Sequence, residues 1–370
     1  MRILRLNLTD WRNYRSAEIE FVPGPNVLAG SNGQGKTNLV EAIGYLTTLS
    51  SHRVAGDAAL IRSGQDSAVI RAVVVAGDRE VLAEVLLNRS APNRAQVNRS
   101  AVRPRELTRN VSSVLFAPED LALVRGEPSA RRRFLDELLV QRTPRLAGVV
   151  ADYDRALKQR NGLLRTARAG GDFGTLDIWD ERLISTGTEL LDARTELAAE
   201  LEPYVAEQYA VLAGEDQGVA LEPLRSIDVD GAGEGSTAER FAAALAVARR
   251  RELERGITLV GPHRDDLVLG VNGLPARSHA SHGESWSFAL ALRLGSVELL
   301  RRALPTGDPI VILDDVFAEL DEKRRTRLAG QVGRYEQVLI TAAVEGDIPD
   351  VLAGRVTHIR AGEIVGEVPA

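Results

Sequence analysis

Eight consecutive residues, Gly30-Ser31-Asn32-Gly33-Gln34-Gly35-Lys36-Thr37, constrain this chain more than any other feature. They satisfy the pattern GxxxxGK[ST] and stand between a short apolar run, Asn26 to Ala29, and helical spacing at Leu39, Ile43 and Leu46. Strand, glycine loop and helix start in that order make a phosphate cradle. Glycines let backbone N–H groups close around phosphate oxygens, and the helix turns its positive end on them. Lys36 is expected to reach the β- and γ-phosphates of ATP as a point charge, and Thr37 to ligate Mg2+. The fold class expected around such a loop is α/β.

The pattern of apolar residues divides the rest. Leu4, Leu6 and Leu8 share one face of a first strand, and Ala17, Ile19 and Phe21 one face of a second. Two alternating runs, Ala68–Val75 and Glu80–Leu87, flank a Gly77-Asp78 turn and predict a hairpin. From Ser129 to Ala169 helix formers dominate. A glycine break at 169–172 leads into a second helical stretch from Leu176 to Leu212, striped with Trp179, Leu183, Leu190, Leu197, Leu201 and Val205. An antiparallel helix pair is expected. A loop at 231–236 and a helix from Ala238 to Glu254 follow, and α/β character returns with a strand at Ile257–Val260. The expected organisation is an ATPase domain over 1–120 and 256–370, split by a helical insertion over 121–255.

Composition excludes several chemistries. The chain has no cysteine, so disulfides, thiolate zinc sites and cysteine nucleophiles are out, which is compatible with a reducing cytoplasm. No stretch is long and apolar enough to span a membrane, and the N-terminus has no signal-peptide core. A net charge of −6 rules out a uniformly basic coat but not a local basic face, with arginine runs at 131–133, 249–251 and 324–325 as candidates. The five histidines show no metal-ligand spacing, and no Ser/His/Asp triad can be assembled. His263, in a turn between proline and arginine, reads as a structural hydrogen-bonder, and Asp265-Asp266 as a pair facing Arg264 and solvent.

A second motif completes the chemistry. Ile310-Val311-Ile312-Leu313-Asp314-Asp315 is a buried-strand pattern ending in two acids. Asp314 is expected to hold Mg2+ through water and Asp315 to polarise the attacking water. Before it, Ala280-Ser281-His282-Gly283-Glu284 opens a helix whose N-terminal N–H groups suit a phosphate. The order of P-loop, large insertion, Ser-x-Gly segment and acidic strand resembles the ABC ATPases. There Ser281 and Gly283 would meet the γ-phosphate held by a second subunit, and Glu319-Leu320-Asp321 would form the D-loop, with Asp321 at the shared site. An ABC transporter subunit and a structural SMC-type head remain alternatives. The first would carry a switch histidine where Thr341-Ala342-Ala343 stands, and the second far longer coiled coils.

Over most of its length the chain resembles the RecF family of bacterial recombination mediators, related to SMC heads. The resemblance rests on Trp11-Arg12-Asn13-Tyr14, Ser51-His52-Arg53, Leu115 to Leu121 leading into Arg131 to Asp136, Gly261 to Asp266, and Leu313 to Asp321. It implies an ATP-dependent homodimer, slow DNA-stimulated hydrolysis, and binding at single-stranded or gapped DNA. It further implies cooperation with RecR and RecO so that the RecA recombinase can load, and it puts Arg12 and Asn13 near the nucleotide. Two departures stand out. Glu284-Ser285 replaces the family's glutamine pair after the signature glycine, and Thr341-Ala342-Ala343 stands where a switch histidine would be expected; no clear Q-loop glutamine can be picked out, and the Pro118-Glu119 segment is expected in that place.

Overall fold

A computed structural model describes residues 1–54, 56–171, 174–214, 218–228 and 235–368. In chain order the elements are β1 (Arg2–Trp11), β2 (Tyr14–Glu20), β3 (Gly24–Ala29), α1 (Lys36–Thr48), β4 (Ser67–Ala76), β5 (Arg79–Asn88), β6 (Arg94–Val97), β7 (Ser100–Val102), α2 (Pro104–Leu107) and β8 (Ser113–Phe116). Helices α3 (Leu121–Arg125), α4 (Pro128–Arg142), α5 (Leu146–Arg168) and α6 (Leu176–Ala213) follow, then β9 (Val219–Leu224), α7 (Thr237–Arg255), β10 (Asp266–Val271), β11 (Leu274–Pro275) and α8 (Ala276–His279). The chain ends with α9 (His282–Ala303), β12 (Ile310–Asp314), α10 (Glu322–Val332), β13 (Gln337–Ala342), β14 (Arg355–Arg360) and β15 (Glu363–Val368).

Two compact units result. The first comprises Met1–Leu121, Glu207–Asp216 and His282–Ala370, and the second Ala122–Ala206 and Gln217–Ser281. This differs from the sequence expectation at the second boundary, placed there at 255. Residues 256–281 stay with the helical unit because β10 pairs with β9 over six positions, Asp266↔Leu224 to Val271↔Val219. The last turns of α6 return to the first unit, where Tyr209 packs edge-on against Phe288 of α9 at 5.6 Å.

The first unit holds two six-stranded sheets. One runs β15-β14-β3-β13-β12-β8, with β14, β3, β13, β12 and β8 parallel and β15 antiparallel. Its central strands are mostly apolar, as burial on both faces requires, and every residue of β12 and β13 is buried, the polar Asp314, Gln337 and Thr341 included. The other sheet, β2-β1-β4-β5-β6-β7, is antiparallel, and β4 and β5 alternate buried with mostly half-buried residues. The β4–β5 hairpin closes through a two-residue Gly77-Asp78 turn, as its sequence demands. In β1 the expected face changes phase: Ile3, Leu6 and Leu8 are buried and Leu4 is not, because the pairing with β4 slips between Ile3 and Arg5.

In the second unit the helical stretch from 129 to 169 is two helices, since Pro144 pushes Thr143 out of helical geometry. Helices α5 and α6 are antiparallel: Arg145 bonds Glu189 while Arg160, fifteen residues on, bonds Asp180. The stripe Leu183, Leu190, Leu197, Leu201, Val205 is buried, and Trp179 half-buried. Ile257–Val260 is not a strand. Side chains take its backbone donors instead, with Asn161 accepting from Thr258 N–H at 2.7 Å and Glu252 from Leu259 N–H at 2.7 Å. Positions 172 and 231–234 of the expected glycine break and loop lie outside the described residues. Among the described residues no helix is long and apolar enough to cross a membrane.

Candidate functional site

The glycine loop leaves the C-terminal end of β3, between β13 and β14, and α1 starts at Lys36. Two of its glycines are dictated by close approach. Gly30 has φ 155°, and a Cβ there would meet the Ile359 carbonyl oxygen at 2.4 Å. At Gly35, φ 119°, it would meet Asn13 Nδ2 at 2.8 Å and the Tyr14 hydroxyl at 2.9 Å. Ser31, Asn32 and Gly33 form the exposed outer part of the loop. Lys36 is 3% exposed, its Nζ donating to the Ser31 carbonyl at 3.3 Å. The first turn of α1 carries no acid, so its positive end meets an anion without competition.

Asp314 ends β12, two strands from β3, and its Oδ1 accepts from Thr37 Oγ1 at 2.9 Å and Thr341 Oγ1 at 2.7 Å. Thr341 in turn accepts from the Asp315 N–H at 2.9 Å. The loop hydroxyl, the strand-end acid and the neighbouring strand are therefore one hydrogen-bonded unit. Adjacent hard oxygens from Thr37 and Asp314 suit a small divalent cation that keeps most of its water. Asp315 adopts φ 52°, a left-handed conformation that ends the extended backbone of the strand.

Burial pushes the Asp314 carboxyl up to about 6, against the partial relief of its two threonine bonds. A carboxyl raised from 3.8 destabilises the folded chain only when ionised: nothing below the unfolded value, a growing cost between the two, the full cost above about 6. About two pKa units correspond to roughly 3 kcal/mol. Asp314→Asn is therefore expected to raise the melting temperature in magnesium-free buffer above pH 7, with the gain vanishing near pH 4. Thermal melts across that range check it, and a variant less stable than wild type at both ends would contradict it.

Asn13 and Arg12 sit where β1 turns into β2. Asn13 Nδ2 donates to the Gln34 carbonyl at 3.1 Å, and its Oδ1 accepts from Asn38 of α1 at 2.8 Å. Arg12 instead grips Glu41 of α1 with two bonds of 2.8 and 2.6 Å, and Ser51 donates to the same buried carboxylate at 2.5 Å. Arg53 reaches Asn38 at 2.9 Å. The segments 11–14 and 51–53 thus converge on α1. Glu41 had no motif to announce it. From the other side the β14–β15 turn holds the loop: Ala361 N–H donates to Gln34 Oε1 at 2.6 Å and Gly362 N–H to the Gln34 carbonyl at 2.9 Å.

A second cluster forms around Arg324. A Cβ on Gly283 would lie 2.7 Å from its guanidinium, which also donates to Ser287 of α9 at 3.1 Å and pairs with Asp321. Asp321 caps α10 by accepting from Arg324 N–H at 2.9 Å, and that bond leads in holding its carboxyl below the ordinary range. The start of α9 and the segment after β12 are fastened to each other. Ser281 is exposed and immediately precedes α9.

The remaining candidates are structural. His263 lies between the Tyr153 hydroxyl at 2.6 Å and the Thr258 carbonyl at 3.2 Å, and burial lowers its pKa to about 4, so it is neutral at pH 7. Asp265 and Asp266 do not face Arg264 and solvent: Asp265 is buried and accepts from Ser226 N–H at 2.7 Å, while Asp266 takes two bonds from Arg131 at 2.6 and 2.9 Å.

The family model described as RecF/RecN/SMC N terminal domain matches residues 2–353. The DNA replication and repair protein RecF of Clavibacter michiganensis subsp. michiganensis is 58% identical, covering 100% of this chain and 97% of that protein. That of Leifsonia xyli subsp. xyli is 57% identical over 99% of each. A solved structure of the recombination mediator RecF with ATP, from the RecFOR pathway, superposes with TM-score 0.89 at 26% identity, over 99% of this chain and 97% of the other. The chain belongs to the RecF family of DNA replication and repair proteins, with the head fold of the SMC class.

Proposed function

We propose that this chain is an ATP-gated DNA-binding ATPase of recombinational repair and replication-fork maintenance. ATP would lie on the loop Gly30 to Thr37, with Lys36 on its β- and γ-phosphates and Asn13 flanking it. The observation that carries the reading is the Thr37–Asp314–Thr341 hydrogen-bonded unit, which brings a P-loop hydroxyl and a strand-end carboxylate within 2.9 Å. Those oxygens fit Mg2+, which when bound neutralises charge on the transferring phosphoryl group. Asp315 then orients the attacking water, its backbone turned out of β12 by the left-handed φ.

Ser31 and Asn32 are exposed in the single chain, so a γ-phosphate bound on this loop would face solvent. We read Ser281 and Gly283 as the cap for the other copy's nucleotide, with Asp321 at the same interface through Arg324. ATP would then join two heads, and hydrolysis would part them. The dimer is read as engaging gapped or single-stranded DNA and, with RecR and RecO, assisting RecA loading. The relatives, named as replication and repair proteins, and the RecF of the RecFOR pathway support this.

The test is molar mass in solution with ATP, ADP or no nucleotide, each with and without gapped DNA, alongside hydrolysis rates. ATP alone should yield a dimer, and DNA should accelerate a slow turnover. Asp315→Asn should retain ATP, accumulate as the dimer and hydrolyse roughly 100-fold or more slowly. A chain that stays monomeric with ATP and DNA would overturn the gating mechanism.

A further inference from the structure

Most arginines of the tight sequence runs, Arg250 and Arg251 apart, are occupied within the fold. Arg131 is held by Asp266, Arg249 by Asp177 and Asp180, Arg324 by Asp321 and Arg325 by Asp347. A different segment keeps its charge in solvent. Between positions 89 and 109 stand Arg89, Arg94, Arg99, Arg103, Arg105 and Arg109 against a single carboxylate, Glu106, in a chain whose net charge is −6. All six are exposed, on the loop into β6, the β6–β7 hairpin at the edge of the antiparallel sheet, and the short α2 with the residues after it. Among the described residues none of the six has an ion pair, while arginines elsewhere in the same sheet do, such as Arg5 with Glu18 and Arg71 with Glu84.

Two features set this edge apart from ordinary solvated charge. The β6–β7 ladder ends at the Ala95↔Val102 pair, and the next residue on each strand is an arginine, Arg94 and Arg103, so two like charges flank its open end. Like charges held close together cost stability unless something anionic lies between them. Arg99 occupies the tip of the hairpin with φ 66°, after Asn98 at 50°. Two-residue turns of that kind favour glycine at the second position, so an arginine is retained there against local backbone preference.

The side chains around these arginines identify the ligand. No aromatic residue occurs from 89 to 109, so bases have nothing to stack on. No large apolar side chain of the segment is exposed, so a protein partner would lack the buried anchors on which such interfaces depend. What alternates with the arginines is small and polar: Ser90, Gln96, Asn98 and Ser100, all exposed. Arginine with serine, asparagine and glutamine is the donor set for phosphate and sugar oxygens. The hairpin is also tied to the nucleotide-binding helix, since Asn93 Nδ2, just before β6, donates to the Tyr45 hydroxyl of α1 at 3.4 Å and to Asp57 at 2.6 Å.

We propose that the β6–β7 hairpin and α2 form a nucleic-acid backbone grip that holds phosphates without reading bases. This rests on the reading of the chain as a DNA-binding ATPase and adds where the strand lies. The test compares wild type with an Arg99→Gln, Arg103→Gln, Arg105→Gln triple variant and its Lys counterpart at the same positions. Binding of a fluorescent gapped duplex is followed by anisotropy with ATP over a salt series. The Gln variant should bind about tenfold or more weakly, with a log–log salt slope flatter by about two to three, at about 0.9 per lost phosphate contact. The Lys variant should keep the slope, and melting temperature and DNA-free hydrolysis should not change in either. Wild-type affinity and slope in the Gln variant would overturn the proposal while leaving DNA binding intact elsewhere. That result is also expected if the charges only guard the sheet edge or receive an acidic protein. A wild-type chain that binds no duplex with ATP would overturn both this and the reading it rests on.

Discussion

Lys36→Met is expected to lose ATP binding by about 100-fold or more, the scale of one or two charge-assisted hydrogen bonds. The wild-type ammonium is already inside the loop, 3% exposed and resting on the Ser31 carbonyl at 3.3 Å, so little reorganisation separates it from a phosphate. A thioether fills nearly the same volume without the charge. The variant should fold as well as wild type, because among the described residues the ammonium makes a single weak hydrogen bond, within the loop itself. It should also stay monomeric with ATP and bind gapped DNA no better with nucleotide than without. Calorimetric titration with ATP checks the first point and light scattering the second. ATP affinity equal to wild type would remove the loop from the mechanism altogether.

What could be read from sequence was what lies contiguous in it. The glycine loop and the Ile310–Asp314 strand carry their meaning in runs of eight and five residues, and both stand where their patterns require. Thr341 was visible only as the absence of a histidine. Its role as a bridge between Asp314 and the Asp315 backbone depends on β12 and β13 being neighbours, which local pattern does not encode. Glu41 and the Ala361-Gly362 turn were missed for the same reason: each acts on a segment distant in sequence. Ile257–Val260 failed in the opposite way. Its residues favour a strand, but a strand needs a neighbour, and side chains of α5 and α7 took its donors first.

Arginines illustrate the limit most plainly. A contiguous triplet on a helix turns about 100° per residue, so its members point different ways. Arg131 goes inward to Asp266, and Arg133 lies out beside Glu137. Dispersed arginines at spacings of two to five make no run in the sequence, yet a hairpin and a short helix gather them at one sheet edge. Charge density in sequence and charge density in space are different quantities.

Ser281→Arg is expected to bind ATP as wild type does yet fail to dimerise or hydrolyse it, with turnover down by about 100-fold or more. Its own loop is untouched, since the hydrogen bonds of Lys36, Thr37 and Asp314 run to the loop itself, α1, β12 and β13 and not to the start of α9. What changes is the start of α9, where a long side chain would stand between helix N–H groups and the other copy's γ-phosphate. Mixing this variant with Lys36→Met separates a defect within one chain from a defect between two. In a two-fold pair of these chains, the intact loop of the Ser281→Arg copy faces the intact segment of the Lys36→Met copy. One site is whole and the other doubly broken. Neither variant alone should form an ATP-dependent dimer, while the mixture should, with turnover reaching at most about half the wild-type rate per chain. Recovery in the mixture cannot come from two independently damaged monomers, because each would carry its own lesion unchanged. A Ser281→Arg chain that dimerises and hydrolyses ATP normally would mean that the site is built within one chain, and that Gly283 and Asp321 are joined by Arg324 only to fasten α9 to α10.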